Sequence, residues 1–325
     1  MSASGSLPLN SHDVLSTERI EYTFWVAAEM RKFDHSRTHH SPLWHYTTGQ
    51  GAIDIIKSGE LWVTQISCLN DSTELTYASD VLSYVGRQLL NNSGLSSDLF
   101  RKIYERLITT MTVRDVRTVE SPTYIGSFSE DGDDLSQWRA YGNGEGGIAI
   151  GFNVSDLKLP PETNCLLTKV EYDEQRQMAV AQRIWEATVD FADRHGGRRS
   201  ALVYEAWLRT FLDHWAEQLI YIAPMFKHPS FHHEKEWRIV KKLDPDDMTD
   251  ILVQQKNSMI RRHFALRFGP HVGDGKPRLP ICAIRLGPTR HRRTSEAGIR
   301  AHLHAQGYDL NAITVDSSYA PLRSH

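Results

Sequence analysis

Glu234 and Glu236 stand two positions apart in the segment Phe231 to Leu243, FHHEKEWRIVKKL. Read as a strand, this segment puts Glu234, Glu236 and Arg238 on one face and Lys235, Trp237 and Ile239 on the other. Burial of Trp237 and Ile239 then turns both carboxylates the opposite way. Such a pair can hold hydroxyl groups and stabilise positive charge. A charged outer face, with Arg238 pairing one glutamate, explains the same spacing. Two further stretches bring polar groups onto strands. In Leu43 to Asp71 the apolar pair Leu43-Trp44 delivers His45 and Tyr46 to a strand end, and Thr47, Thr48 and Gly49 break the run. A histidine there, beside a glycine-containing turn, is placed to meet a ligand. In Tyr124 to Ser129, alternation puts Ser127 and Ser129 on one face and Phe128 on the other. Those serines are either lining groups or the polar side of a half-exposed strand. Two sets could suit a metal: His35, His39 and His40, which read better as a solvated polar linker, and His228, His232, His233 and Glu234. Pro229 spoils a helical HxxxH and the adjacent histidines point apart in a strand, so no metal is assigned.

The elements that must position these groups can be read in part. Ala52, Ile53, Ile55 and Ile56 follow the first strand at helical spacing, Gly59 closes that helix, and Leu61, Val63 and Ile66 suggest a second strand. Asp71 and Glu74 fit a capping box for a helix from about Glu74 to Leu90. Amphipathic helices are also expected over residues 97–113 and in the N-terminal segment, from Ser16 through Met30. After the Ser127 strand, Asp133 or Asp134 caps a short helix carrying Gln137, Trp138 and Tyr141, and Gly147 to Phe152 is a buried strand. Val170 to Tyr172 reads as a short strand. Two helical stripes follow, Met178 to Phe191 and Leu208 to Ile222, inside a helical insertion spanning 174–227. The chain then offers a strand over Pro280 to Gly287, a basic run Arg290 to Arg293, a helix capped by Ser295 and ending near Ala305, and a strand Ala312 to Asp316. The basic run could also meet phosphates. Strands interrupted by helices without regular alternation imply α+β rather than a doubly wound sheet. Neither GxGxxG nor GxxxxGK[ST] is present.

Composition narrows the class. The chain has 325 residues, enough for a full core without disulfides. A net charge of −3 gives no global attraction to nucleic acid or an anionic membrane. The three cysteines are widely spaced, which points to a reducing compartment. No signal-peptide pattern and no span-length apolar run is seen, so a cytoplasmic protein with no membrane partner is expected.

The motifs together resemble a known superfamily. The stretch from Leu43 is similar to the entry segment of ADP-ribosyltransferases, especially the His-Tyr-Glu branch. More closely, the chain resembles a widespread uncharacterised bacterial family, a domain of unknown function. The shared patterns are His45-Tyr46-Thr47, Leu69-Asn70-Asp71 with Glu74, Ser127-Phe128-Ser129 with Trp138 and Tyr141-Gly142, and Glu234-Lys235-Glu236-Trp237-Arg238. This family resemblance runs from residue 43 to about 323. It implies an ADP-ribosyltransferase-like split sheet over 41–325, including the insertion, behind an N-terminal segment 1–40 with one helix. It implies NAD as substrate, without metal, and ADP-ribose transfer to an unknown protein or nucleic-acid acceptor, or NAD hydrolysis. In that reading Glu236 is the catalytic carboxylate and Glu234 orients the acceptor. His45, with Tyr46 and Thr47, binds the dinucleotide, Ser127 and Ser129 line the cleft, and Trp138 or Tyr141 stacks on nicotinamide. Two departures stand out. Polymerases of the superfamily have Gly where this chain has Tyr46, and the Ser-x-Ser and aromatic elements come from different branches. The alternative is a catalytically inactive module that binds a nucleotide or a protein in a bacterial defence or toxin system.

Overall fold

The computed structural model describes residues 22, 39, 41–69, 73–91, 98, 101–102, 104–106, 123–142, 146–157, 165–196, 201–243, 251–256, 258–268 and 278–320. Helices and strands are mixed, and the chain divides into two compact units. One unit takes in Asp34–Glu74, Val119–Tyr172 and Pro224–His325 and carries the sheet. The other takes in Met1–Phe33, Leu75–Thr118 and Asp173–Ala223, and its described residues are almost all helical. Among the described residues no helix is long and apolar enough to cross a membrane.

The sheet unit begins with β1 (Leu43–Thr47), α1 (Gly49–Ser58) and β2 (Leu61–Gln65). Thr48 caps α1 by accepting the Gly51 N–H at 3.0 Å, and Gly59 closes it at φ 67°. That left-handed turn suits glycine. The next helix, α2 (Thr73–Asn91), leads into the helical unit, and the chain returns as β3 (Thr123–Ser129), α3 (Leu135–Tyr141), β4 (Ile148–Phe152) and β5 (Cys165–Lys169). Helices α4 (Glu174–Gly196) and α5 (Ala201–Ile222) belong to the helical unit. The rest is β6 (Glu236–Lys242), β7 (Ile251–Lys256), β8 (Met259–Leu266), β9 (Ile281–Leu286), α6 (Arg292–Ala305) and β10 (Thr314–Ser317).

Among the described residues these strands form one mixed sheet, antiparallel except for the β9–β10 pair. β3 is its hub. Ser129 at one end of β3 pairs with Trp44 of β1, while Tyr124 and Ile125 pair along the same edge with Gln65 and Thr64 of β2. The whole opposite edge pairs with β6, from Thr123↔Lys242 to Ser129↔Glu236. β1 and β2 therefore part company along one edge of β3. One sheet face buries the main core, which includes Leu43, Ile150, Phe128, Trp237 and Ile239. The other face carries a small cluster of Trp44, Tyr46, Trp138, Ala149 and Ala283.

In the helical unit the α4 and α5 stripes meet as a core. The Trp185 and Trp215 rings lie 5.7 Å apart, Trp215 Nε1 donates to Thr188 Oγ1 at 2.7 Å, and Trp185 Nε1 donates to the Leu82 carbonyl at 2.9 Å. Met178 is exposed rather than part of the stripe.

Several boundaries differ from the sequence expectation. The strand expected at Val170–Tyr172 lies at Cys165–Lys169, and Glu171 makes only an isolated bridge to Phe226. The last strand is Thr314–Ser317. α6 starts at Arg292 after His291, three residues before Ser295. The β7–β8 hairpin had no counterpart in the sequence reading. The helix through residues 16–30 apart from Tyr22, most of the 97–113 helix and the Asp71 cap lie outside the described residues.

Candidate functional site

The segment holding both glutamates does not form one continuous strand. His228 and Pro229 open a 3₁₀ turn, Pro229–Glu234, in which the His228 side chain accepts the Ser230 N–H. Lys235 then takes a left-handed conformation, φ 45°, which is uncommon for a residue with a side chain. That residue re-aims the chain, and β6 begins only at Glu236. Glu234 is thus not a strand neighbour of Glu236. The two carboxylates meet instead through Lys227, whose Nζ lies 2.6 Å from Glu234 Oε2 and 3.0 Å from Glu236 Oε2.

Strand alternation does hold for Glu236 and Arg238. Arg238 Nε donates to Glu236 Oε1 and Nη2 to Glu236 Oε2, each at 2.8 Å. Nη1 of Arg238 donates to the Pro224 carbonyl, which anchors the guanidinium. Glu236, Arg238 and Lys227 are all buried. Burial pushes the Glu236 carboxyl up, but the Arg238 and Lys227 charges, with hydrogen bonds from Arg238 and Ser127, outweigh it and hold the group at about 2. Glu236 is therefore a buried, ionised carboxylate at neutral pH.

Two tyrosines complete this cluster. Tyr172 accepts the Glu236 backbone N–H at 3.1 Å. Its phenol is pushed up by burial and then by the Glu236 charge. Tyr141, at the end of α3, is pushed up by the same causes in the same order, with Glu234 adding to them. Tyr141 is 44% exposed, so it stands where solvent meets the cluster.

The serines are brought to this face as expected. Ser127 pairs in register with Arg238, and Ser129 with Glu236. Only Ser127 reaches the Glu236 carboxylate. Ser129 donates to the Glu234 carbonyl at 2.8 Å and accepts the Asp131 N–H at 3.1 Å, so its hydroxyl is committed to the backbone.

The β1 residues depart from the expectation. Trp44 and Tyr46 point to the small-cluster face, and His45 points to the main-core face with Ile150, its register partner on β4. The His45 ring meets Phe128 at 5.9 Å, and Nδ1 donates to the Ser127 carbonyl at 3.0 Å. Burial lowers its pKa, partly opposed by that carbonyl. The strands β1, β3 and β6 are adjacent, yet His45 and Glu236 project from opposite faces, so one pocket cannot use both side chains in the roles the resemblance implies. Thr47 shares the His45 face and sits against Gly51 of α1. The Tyr46 hydroxyl donates to the Asp131 carbonyl at 2.7 Å and accepts the Asp134 N–H at 3.0 Å. Trp138 is buried with its Nε1 on Asp133 Oδ1 at 2.9 Å and its ring 4.6 Å from that of Tyr46. Tyr46 and Trp138 are thus packed structure, and Tyr141 is left as the ring available for stacking.

The histidine set does not converge. The His232 and His233 rings are 6.1 Å apart at 87°, and His228 and His232 spend Nδ1 on Ser230 and on the Pro229 carbonyl. Among the described residues no three His, Cys, Asp or Glu side chains group as metal ligands.

Residues 137–239 match a family model described as a protein of unknown function, DUF2971. The matched span holds Trp138, Tyr141, Tyr172, Lys227 and the Glu234–Arg238 segment, and leaves out His45 and the two serines. It supports the likeness to an uncharacterised domain family over that span. No curated protein and no solved structure matches the chain at a significant level. Lys227 and Tyr172 were not singled out in the sequence. A lysine directly after the apolar run Pro224-Met225-Phe226 was the available signal for the first.

Proposed function

We propose that the Glu236 cluster cleaves the bond between nicotinamide and ribose in NAD and passes ADP-ribose to water or to a protein or nucleic-acid acceptor. One observation carries this reading: a buried carboxylate, held ionised, flanked by a serine hydroxyl and by a half-exposed tyrosine ring. Nicotinamide leaves with the electron pair of the broken C–N bond, and positive charge develops on ribose C1′, as in glycoside hydrolysis. The Glu236 charge stabilises that carbon in a site shielded from water. Ser127 orients the carboxylate, and Tyr141 offers a face for the nicotinamide ring. Glu234 orients the incoming nucleophile, which adds to C1′ and releases its proton to solvent. His45 acts at one remove, by fixing the Ser127 carbonyl and so the position of β3. It is a positioning residue here, not a ribose ligand.

A second reading has its own support. Both Glu236 oxygens already accept from Arg238, and one also from Lys227. A carboxylate so occupied suits a binding module that does not turn over. Incubation of the pure protein with NAD, with and without a chelator, separates the readings. Nicotinamide release that the chelator leaves unchanged is expected. No release across a panel of protein and nucleic-acid acceptors leaves the binding module standing.

A further inference from the structure

The sheet unit holds a cavity of about 350 Å³ between α1, α6 and the strand ends at Ile148 and Leu286. No residue of the Glu236 cluster lines it. Its floor is apolar, formed by Ile53, Ile148, Leu286 and Ile299. Thr289 and Ser295 bring hydroxyls to its edge, and His302, with Nε2 3.0 Å from the Ile53 carbonyl, closes one side. Glycines form the rest of the wall. Gly49 lies so near the loop that a Cβ there would stand 3.2 Å from the Gly146 carbonyl oxygen, and Gly146 itself is left-handed, φ 76°.

Gly298 is different in kind. It lies in the middle of α6, where glycine costs about 1 kcal/mol relative to alanine, yet a Cβ built on it meets no atom of the described residues within 4 Å. Among the described residues, packing does not call for glycine at this place. Gly298 lines the cavity and is itself exposed, so a side chain there would stand in the open space at the cavity mouth.

Basic residues stand beside the lining residues in the chain. Arg290 precedes α6, and Arg292 and Arg293 open it; Arg292 stands at helical spacing with the lining residues Ser295, Ile299 and His302, and so on the helix face that borders the cavity. The nearby acid, Glu296, is paired with Arg300 at 3.2 Å. The volume sits at the lower end of ligand pockets, which span about 300–1,000 Å³. That is room for one nucleotide-sized molecule and not for a dinucleotide. An apolar floor favours a flat ring, edge hydroxyls favour its polar rim, and the neighbouring Arg292 favours an anionic group.

We propose that this cavity is a second small-molecule site, separate from the Glu236 cluster, and that it binds a mononucleotide: a flat heterocycle carrying one phosphate. The two sites share no residue, so the proposal does not depend on NAD cleavage.

Calorimetric titration of the full chain with AMP, adenosine and inorganic phosphate tests it, with GMP and UMP as further probes. AMP is expected to bind saturably, adenosine more weakly, and phosphate alone weakest. Gly298→Leu fills the cavity from the helix. It should lower AMP affinity at least about tenfold while the melting temperature holds or rises, because leucine is the better helix former. The double variant Arg292→Ala/Arg293→Ala should weaken AMP and leave adenosine unchanged. The proposal is overturned if wild type binds none of the three mononucleotides, if Gly298→Leu binds AMP as wild type does, or if phosphate alone matches AMP. Nicotinamide release, measured beside these titrations, reports on the other site, so failure of one reading is visible apart from failure of the other.

Discussion

Replacing Glu236 with Gln should destabilise the sheet unit by an amount that depends on pH. The variant keeps the side-chain shape but leaves Arg238 and Lys227 buried with one carboxylate fewer. Removing one partner of a buried ion pair costs about 3–5 kcal/mol. The carboxyl gives a matching figure. Its ordinary value is 4.5 and its folded value about 2, which corresponds to roughly 3 kcal/mol of stabilisation at neutral pH. Because the folded value is the lower one, this stabilisation is complete above the unfolded value and is lost as pH falls from about 4.5 toward about 2. The gap between wild type and Glu236→Gln should therefore shrink by about 2 kcal/mol between about pH 7 and about pH 3. Native-state hydrogen exchange at the β3–β6 amides, from Ser127 to Arg238, reads the gap locally, so the helical unit does not blur it. An equal gap at both pH values would refute the reasoning, since Glu236 would then not be ionised by its partners.

Other consequences follow from single contacts. Tyr46→Phe removes the hydroxyl that joins Asp131 and Asp134 and should cost about 1–2 kcal/mol in denaturant unfolding; no change would show that the loop does not rely on it. Asp133 accepts from Trp138 Nε1, the Ser318 hydroxyl and the Tyr319 N–H, so Asp133→Ala should lower stability by about 1–3 kcal/mol and speed amide exchange at Tyr319. Trp215, almost wholly buried, should lose about 3–5 kcal/mol on replacement by Ala, seen as an earlier melt of the helical unit. An unchanged melt would remove Trp215 from the core.

The elements that the sequence displays well are those whose signals are local. The β1–α1–β2 run is marked by helical spacing and closed by Gly59. α3 is marked by its Asp134 cap, and β3 by alternation. The pairing of Glu236 with Arg238 also follows from alternation, because both lie inside β6. Glu234 was misplaced for a physical reason: Pro229 starts a turn and Lys235 adopts a left-handed conformation that composition does not advertise. The His45 error is of another kind. Alternation assigns faces within a strand, but the face that two strands share depends on register, and Trp44, not His45, is aligned with Ser129. Lys227 and Tyr172 reach Glu236 through tertiary contacts from loops. The β7–β8 hairpin is hidden because its strands do not alternate: Ile251–Val253 and Gln254–Lys256 fall in an apolar and a polar block, and Arg261, Arg262 and His263 stand together in β8.

The central claim is that the Glu236 charge acts on a transition state. Paired measurement of nicotinamide release and calorimetric NAD affinity, on wild type and Glu236→Gln near neutral pH, tests it most directly. A carboxylate that meets charge only as the bond breaks contributes to turnover and little to binding. The folded Gln variant should bind NAD within a few fold of wild type and release nicotinamide at least about a hundredfold more slowly, the lower end of what removing one preorganised electrostatic group costs. Equal release rates for the two proteins, or a wild type that neither binds nor cleaves NAD, would contradict it.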